Sequence, residues 1–175
     1  MRMRRSDFDN AVATNGQKVF TLAVYLLANR EEAEDVTQEV LVRLWRRGHD
    51  VSPERIGPWL VRVTRNACID TIRRRKDQVH VGLEGDALDE LYERNPGPET
   101  LFHASQLGSR ILKALATLSE PSRSVVILRE IQGLSYQEIG DALEMPISNV
   151  RVTLHRGRRR LREELREVRD HVAAC

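Results

Sequence analysis

An all-α chain, built as two small helical domains joined by a flexible acidic linker, is what the sequence predicts, on three observations. Aromatic residues are 5% of the 175, while Leu, Val, Ala, Arg and Glu run in long stretches, which disfavours a large β core. Apolar residues recur at three- and four-residue steps along most of the chain, the spacing that buries one stripe of a helix. Charge is segmented although the net value is only +2: Lys and Arg outnumber Asp and Glu 15 to 10 over residues 1–76 and 12 to 9 over 102–175, but residues 77–101 hold one base against seven acids. Two positive segments flanking an acidic tether suit two nucleic-acid-facing modules better than a single globule. The expected boundaries are 6–76, 77–104 and 105–170.

Phe8, Val12, Val19, Ala23, Leu26 and Leu27 give the first helical segment, expected to bend or break near Asn15 and Gly16. Asn29, with Glu32 three residues on, caps a second helix. Its buried stripe is Ala33, Val36, Val40 and Leu44; Asp35, Glu39, Val42 and Arg46 stand opposite, with Gln38 on the flank. The carboxylates have no His, Ser or Lys nucleophile around them. They read as a solvated surface first and a partner surface second, so no catalytic residue is expected.

Residues 49–58 form a loop by their Pro and Gly content. A helix from 59 to 76 then buries Leu60, Val63, Ala67 and Thr71, with Val61 and Cys68 beside them. Arg62, Arg65, Asn66, Ile69 and Arg73 point away from that stripe, Trp59 falls on the Asn66 side, and the helix ends in Arg73-Arg74-Arg75-Lys76. Such a face can hold single-stranded DNA, phosphates to the arginines and a base against the ring. Cations complementing the helix dipole would explain the end of the helix but not Arg62 and Asn66.

Residues 77–101, with Gly82, Gly85 and Asn95-Pro96-Gly97-Pro98 among seven acids, should not fold alone. Leu107, Ile111, Leu115 and Leu118 form the next helix, and Ser119-Glu120-Pro121 opens another through Val125, Val126 and Leu128.

Residues 134–160 describe a helix-turn-helix. Gly133 ends the preceding helix, Ser135 and Glu138 have the spacing of a reciprocal capping box, and Pro146 interrupts the helix that Ile139 and Leu143 began. Glu144 stands where such a turn often has a Gly free to take positive φ. In the second helix Ile147, Val150, Leu154, Gly157, Leu161, Leu165 and Val168 make one buried stripe. Ser148, Val152, His155, Arg156 and Arg159 lie opposite, flanked by Arg151 and Thr153. Arginine forks pair with guanine edges or phosphates, and Val152 and Thr153 suit thymine methyls. An isolated basic helix would read as a solvated surface. Capping box, break and cationic outer face together point to duplex DNA.

Cys68 and Cys175 are the only cysteines and lack metal-ligand spacing, and the five histidines are scattered, so no metal or cofactor is expected and a reducing compartment is. The longest apolar run, residues 22–28, is too short for a signal peptide or membrane span, so a soluble intracellular protein is expected.

Three stretches carry a family resemblance: EEAEDVTQEVLVRLW at 31–45, PWLVRVTRNACIDTIRRR at 58–75 and LSYQEIGDALEMPISNVRVTLHRGRRRLREEL at 134–165. In that order and spacing the chain resembles the extracytoplasmic-function (group 4) sigma factors of bacterial RNA polymerase. The resemblance implies a promoter-specificity subunit of the cytoplasm with no enzyme activity, a first domain called region 2 and a second called region 4. It implies that Asp35, Gln38, Glu39, Leu41 and Trp45 dock on the clamp coiled coil of the polymerase β′ subunit, with the β flap as a further contact of the core enzyme. Asn66 matches the position that receives a flipped base of the minus-10 element, with Trp59, Arg62 and the 49–58 loop around it and Arg73 on the same face. Arg151, Val152, His155 and Arg156 match the residues that read the minus-35 element, and Ser148 and Arg159 share their face. The linker looks like the acidic segment that enters the polymerase cleft, and an anti-sigma factor is the expected inhibitor. Two places depart from the family pattern: Asp50 and Ile56 stand where relatives often have Phe, and Ser148-Asn149 with Val152 replace the commoner Gly-Thr and Ser. The alternative is a stand-alone helix-turn-helix transcriptional regulator.

Overall fold

The computed structural model describes residues 3–80 and 106–173, all helix, turn or irregular chain with no strand among them. Contacts divide the chain into two compact units, Met1–Glu99 and Thr100–Cys175. No helix among the described residues is long and apolar enough to cross a membrane.

The first unit is three helices, α1 (Arg5–Leu27), α2 (Arg30–Arg47) and α3 (Ile56–His80), each packed on the other two. Between α1 and α2 the chain turns in two residues: Ala28 takes the left-handed conformation (φ 50°), and the Asn29 side chain accepts from the Glu32 N–H at 3.1 Å, the cap its spacing predicts. Leu22 and Leu27 of α1, Val40 and Leu44 of α2 and Leu60 of α3 are almost wholly removed from water, each worth about 1.5–3 kcal/mol in transfer free energy.

Three expectations for this unit are corrected. α1 runs unbroken through Asn15 and Gly16, because a helical Gly costs only ~1 kcal/mol and the Asn15 amide donates to the Ala11 carbonyl at 3.0 Å. α3 begins at Ile56, inside the expected loop, because Pro58 falls in the first turn, where a missing N–H breaks no helical bond. It runs on to His80, past the expected end, so the linker's first residues are helical; residues 81–105 lie outside the described residues. The centre of its buried stripe is Thr64, with Val61, Val63 and Thr71 only half-buried. The Thr64 hydroxyl donates to the Leu60 carbonyl at 2.7 Å, which satisfies it inside the core.

The second unit contains α4 (Gln106–Ala116), α5 (Glu120–Val126), α6 (Tyr136–Leu143) and α7 (Ile147–Ala173). Between α5 and α6 lies a π-helical turn, Ile127–Ile131, that the sequence did not announce. Val125, Ile127, Leu128, Ile139, Val150 and Leu154 form the core. The capping box is formed in both directions: the Glu138 N–H donates to Ser135 Oγ at 3.2 Å and the Ser135 N–H to Glu138 Oε2 at 2.7 Å. Glu144 takes φ 53°, at a cost of ~1 kcal/mol for a side chain there, and its N–H still bonds the Gly140 carbonyl. Gly140 is required at this corner, since a Cβ would stand 2.8 Å from the Met145 carbonyl oxygen.

The α7 stripe is shorter than expected. Val150, Leu154 and Gly157 are buried, Ile147 and Leu161 half-buried, and Leu165 is exposed. The side chain of Val168 lies outside the described residues.

Candidate nucleic-acid interfaces

On α7, the face opposite Val150 and Leu154 carries Ser148, Val152, His155, Arg156 and Arg159, with Arg151 on its flank, all exposed, Val152 by 49%. Thr153, on the flank, is half-buried. The arginines of this unit divide into two kinds. Arg123 donates to the Ala116 and Leu118 carbonyls at 2.7 and 3.2 Å, Arg129 to the Leu134 carbonyl at 2.7 Å, and Arg158 pairs with Glu130 at 2.6 Å. These tie the helices and the π-turn together. Arg151 and Arg156 make no hydrogen bond or ion pair among the described residues; the Arg151 guanidinium lies over the Tyr136 ring, 5.8 Å from its centroid. Among the described residues Arg159 pairs within α7 with exposed Glu163 at 3.8 Å, a contact a phosphate can replace at little cost, and Arg160 with half-buried Glu164 at 2.6 Å.

Beside this face is a groove of about 790 Å³ that brings Thr117, Ser119 and Ser122 opposite Arg156, Arg159 and Arg160. Sequence reasoning missed the three hydroxyl residues. They sit at the α4–α5 turn, where they read only as the opening of a helix, and only packing sets them beside α7.

In the first unit, Trp59, Arg62, Asn66 and Arg73 share one face of α3; Asn66 and Arg73 are exposed, Trp59 and Arg62 half-buried. The basic run that follows is split in use. Arg73, Arg74 and Lys76 are exposed, but Arg75 forms an ion pair with Glu32 and donates to the Leu27 carbonyl at 3.2 Å, fastening the end of α3 to the α1–α2 turn. The 49–58 segment contains two 3₁₀ turns, Gly48–Asp50 and Pro53–Arg55. With the first half of α1 it encloses a cleft of about 830 Å³, where Asn10, Thr14 and Asn15 face His49, Val51 and Ile56; none of Trp59, Arg62 and Asn66 lines it.

On α2, Asp35, Gln38 and Glu39 are exposed beside Val42, itself 48% exposed, while Leu41 and Trp45 are half-buried. The Trp45 ring meets Phe8 edge to face, centroids 5.2 Å apart, and its carbonyl accepts from the Met3 N–H at 3.3 Å. Trp45 therefore anchors the start of the chain as well as bordering this face. Burial pushes the Cys68 thiol up to about 12, which keeps it protonated and unreactive at neutral pH. No group of three or more His, Cys, Asp or Glu positioned to hold a metal ion is found among the described residues.

The family model for sigma-70 region 2 matches residues 11–78 and that for sigma-70 region 4 matches residues 109–161. The chain is 38% identical over 162 residues to the ECF RNA polymerase sigma factor SigE of Mycolicibacterium smegmatis, covering 90% of this chain and 61% of that one, so it spans less than two thirds of that relative's length. It is 30% identical over 169 residues to SigW of Bacillus subtilis, covering 92% of this chain and 90% of the other. Among solved structures, the sigma factor RpoE of Bartonella quintana, in complex with the anti-sigma factor NepR, superposes with a TM-score of 0.71 at 24% identity, over 91% of this chain and 97% of the other. CnrH, in complex with the cytosolic domain of CnrY, gives 0.69 at 24% identity over 91% and 88%. These two likenesses show the fold.

Proposed function

The chain belongs to the ECF RNA polymerase sigma factors, promoter-specificity subunits of bacterial transcription, and from that premise we propose how its two units divide the work. The first unit, over about 6–76, binds the core enzyme through Asp35, Gln38, Glu39, Leu41 and Trp45 against the β′ clamp coiled coil. It takes the minus-10 element on Trp59, Arg62, Asn66 and Arg73. Extruding a base costs a few kcal/mol, so a surface that selects the extruded base couples melting to recognition. The second unit, over about 105–170, reads the minus-35 element in the major groove with Ser148, Arg151, Val152, His155, Arg156 and Arg159, and meets the β flap. Thr117, Ser119 and Ser122 add phosphate contacts at the edge of the duplex. The segment 77–104 threads the polymerase cleft. The protein works in the bacterial cytoplasm without enzyme activity of its own, and an anti-sigma factor holds it inactive by covering the polymerase-binding surface.

The observation that carries this reading is the two-sidedness of α7: six side chains suited to base edges and phosphates stand in solvent, while Val150 and Leu154 behind them are fully buried. A stand-alone helix-turn-helix regulator would use the same face, but it leaves the acidic face of α2 and the Asn66 face of α3 without a role. The test is reconstitution. Added to core polymerase, the protein directs run-off transcription from a promoter identified by sequencing RNA 5′ ends after overexpression. Failure to co-elute with core enzyme in gel filtration, or a footprint on duplex DNA without polymerase, would favour the regulator instead.

A further inference from the structure

Tyr136 is the first residue of α6, half-buried, one position after the capping Ser135. Its ring is contacted by two guanidinium groups. Arg129, from the π-turn, has its central carbon 5.1 Å from the ring centroid and is fixed by its bond to the Leu134 carbonyl. Arg151, from the first turns of α7, lies 5.8 Å from the same centroid, and the ring is what its guanidinium meets, since it makes no ion pair or hydrogen bond among the described residues. Both distances fall within the range where the negative face of an aromatic ring attracts a cation.

We infer that Tyr136 is a positioning residue for base selection: its ring holds the Arg151 fork at the mouth of the major-groove face. This inference rests on the reading of α7 as the minus-35 helix. An arginine in solvent samples many rotamers, and freezing them on binding reduces affinity. A ring beneath the guanidinium restricts those rotamers beforehand, and because the fork is planar, holding its plane also selects which base edge it can pair with bidentately. Arg129 completes the device, because its bond to the Leu134 carbonyl fixes the position of the π-turn relative to the start of α6. The π-turn thereby gains a purpose, since it brings Arg129 to the ring that steers Arg151.

The experiment measures promoter occupancy by the full chain on core polymerase against a panel of duplexes substituted one base pair at a time through the minus-35 element. Wild type, Tyr136→Phe, Tyr136→Leu, Arg151→Ala and the double variant are compared. Tyr136→Phe keeps the ring and is expected to match wild type. Tyr136→Leu is expected to lose about two- to fivefold of discrimination, the size of an exposed cation–ring contact. That loss falls at the base pair that Arg151→Ala flattens, and it adds nothing once Arg151 is gone. Tyr136→Gln serves in its place should the leucine variant fail to fold by circular dichroism. Uniform weakening across all sequences, full discrimination without the ring, or losses that add in the double variant would each overturn the inference while leaving the minus-35 reading intact. Absence of sequence preference in wild type would overturn both.

Discussion

The two units use arginine in opposite ways. In the second, folding and proposed recognition fall on different residues: Arg123, Arg129 and Arg158 bind carbonyls or Glu130, while Arg151 and Arg156 are exposed and make no hydrogen bond or ion pair among the described residues. In the first, one run of the chain does both jobs, for Arg75 is tied to Glu32 and Leu27 while Arg73, two residues before it, is exposed, and half-buried Trp59 and Arg62 belong to packing and surface alike. The lesson is one of independence. The unit proposed to face duplex DNA can change its target without touching its stability, whereas the surface proposed for the unpaired strand is coupled to the fold beneath it.

The largest effect should come from the core of the second unit. Leu154→Ala removes a side chain that is 1% exposed, at about 2–5 kcal/mol, enough to unfold a unit of this size. Hydrogen exchange should then show protection lost over 106–166 and kept over 5–77; loss in both would end the claim that the units fold separately. Next comes Arg75→Ala, which leaves the Glu32 carboxylate and Leu27 carbonyl short of a partner and should destabilise the first unit by about 1–3 kcal/mol. Arg73→Ala should stay within about 0.5 kcal/mol in stability yet flatten the salt dependence of single-strand binding. Equal melting shifts from the two variants would erase the distinction drawn within the run.

Arg156→Ala tests the other side of the comparison. It should weaken promoter discrimination by about 1–3 kcal/mol at an unchanged melting temperature. Asn66→Ala should spare duplex minus-35 binding and slow strand opening, followed by permanganate reactivity of unpaired thymines; equal loss of both steps would contradict the division of labour. A further effect is alkaline. Burial raises Cys68 from its ordinary 9.0 to about 12 and also raises Tyr25, and both belong to the first unit. The unfolded chain releases these protons first, so the stability of that unit is complete below pH 9 and declines as pH climbs towards 12, by about 1 kcal/mol at pH 10. Denaturant midpoints resolved by unit should show the decline there, and Cys68→Ala should lessen it; a decline confined to the second unit would reverse the comparison.

Local rules made part of this legible beforehand. The caps at Asn29 and Ser135, the positive φ at Glu144, and the outward arc of α7 all follow from residues a few positions apart. What stayed hidden depends on packing between distant segments. Nothing near Ile127–Ile131 calls for a π-turn, and Thr64 looks like a surface residue until its hydroxyl is seen bonded to Leu60. Leu165 keeps the period of the α7 stripe yet is exposed; periodicity says which way a residue faces and not whether anything waits there. The partners of Tyr136 come from seven residues before it and fifteen after, a separation no spacing motif spans.

At Gly157, α7 leaves no slack: a single added carbon would stand 2.7 Å from Val126 Cγ2 and 3.5 Å from the Ser122 carbonyl. A rod seated that tightly resists both rolling and tilting, so the angle at which the proposed reading helix would enter DNA is set by the unit's own interior rather than by the sequence it meets. New tastes in promoters must then arise by exchanging the outward side chains one at a time, as type is changed in a fixed press.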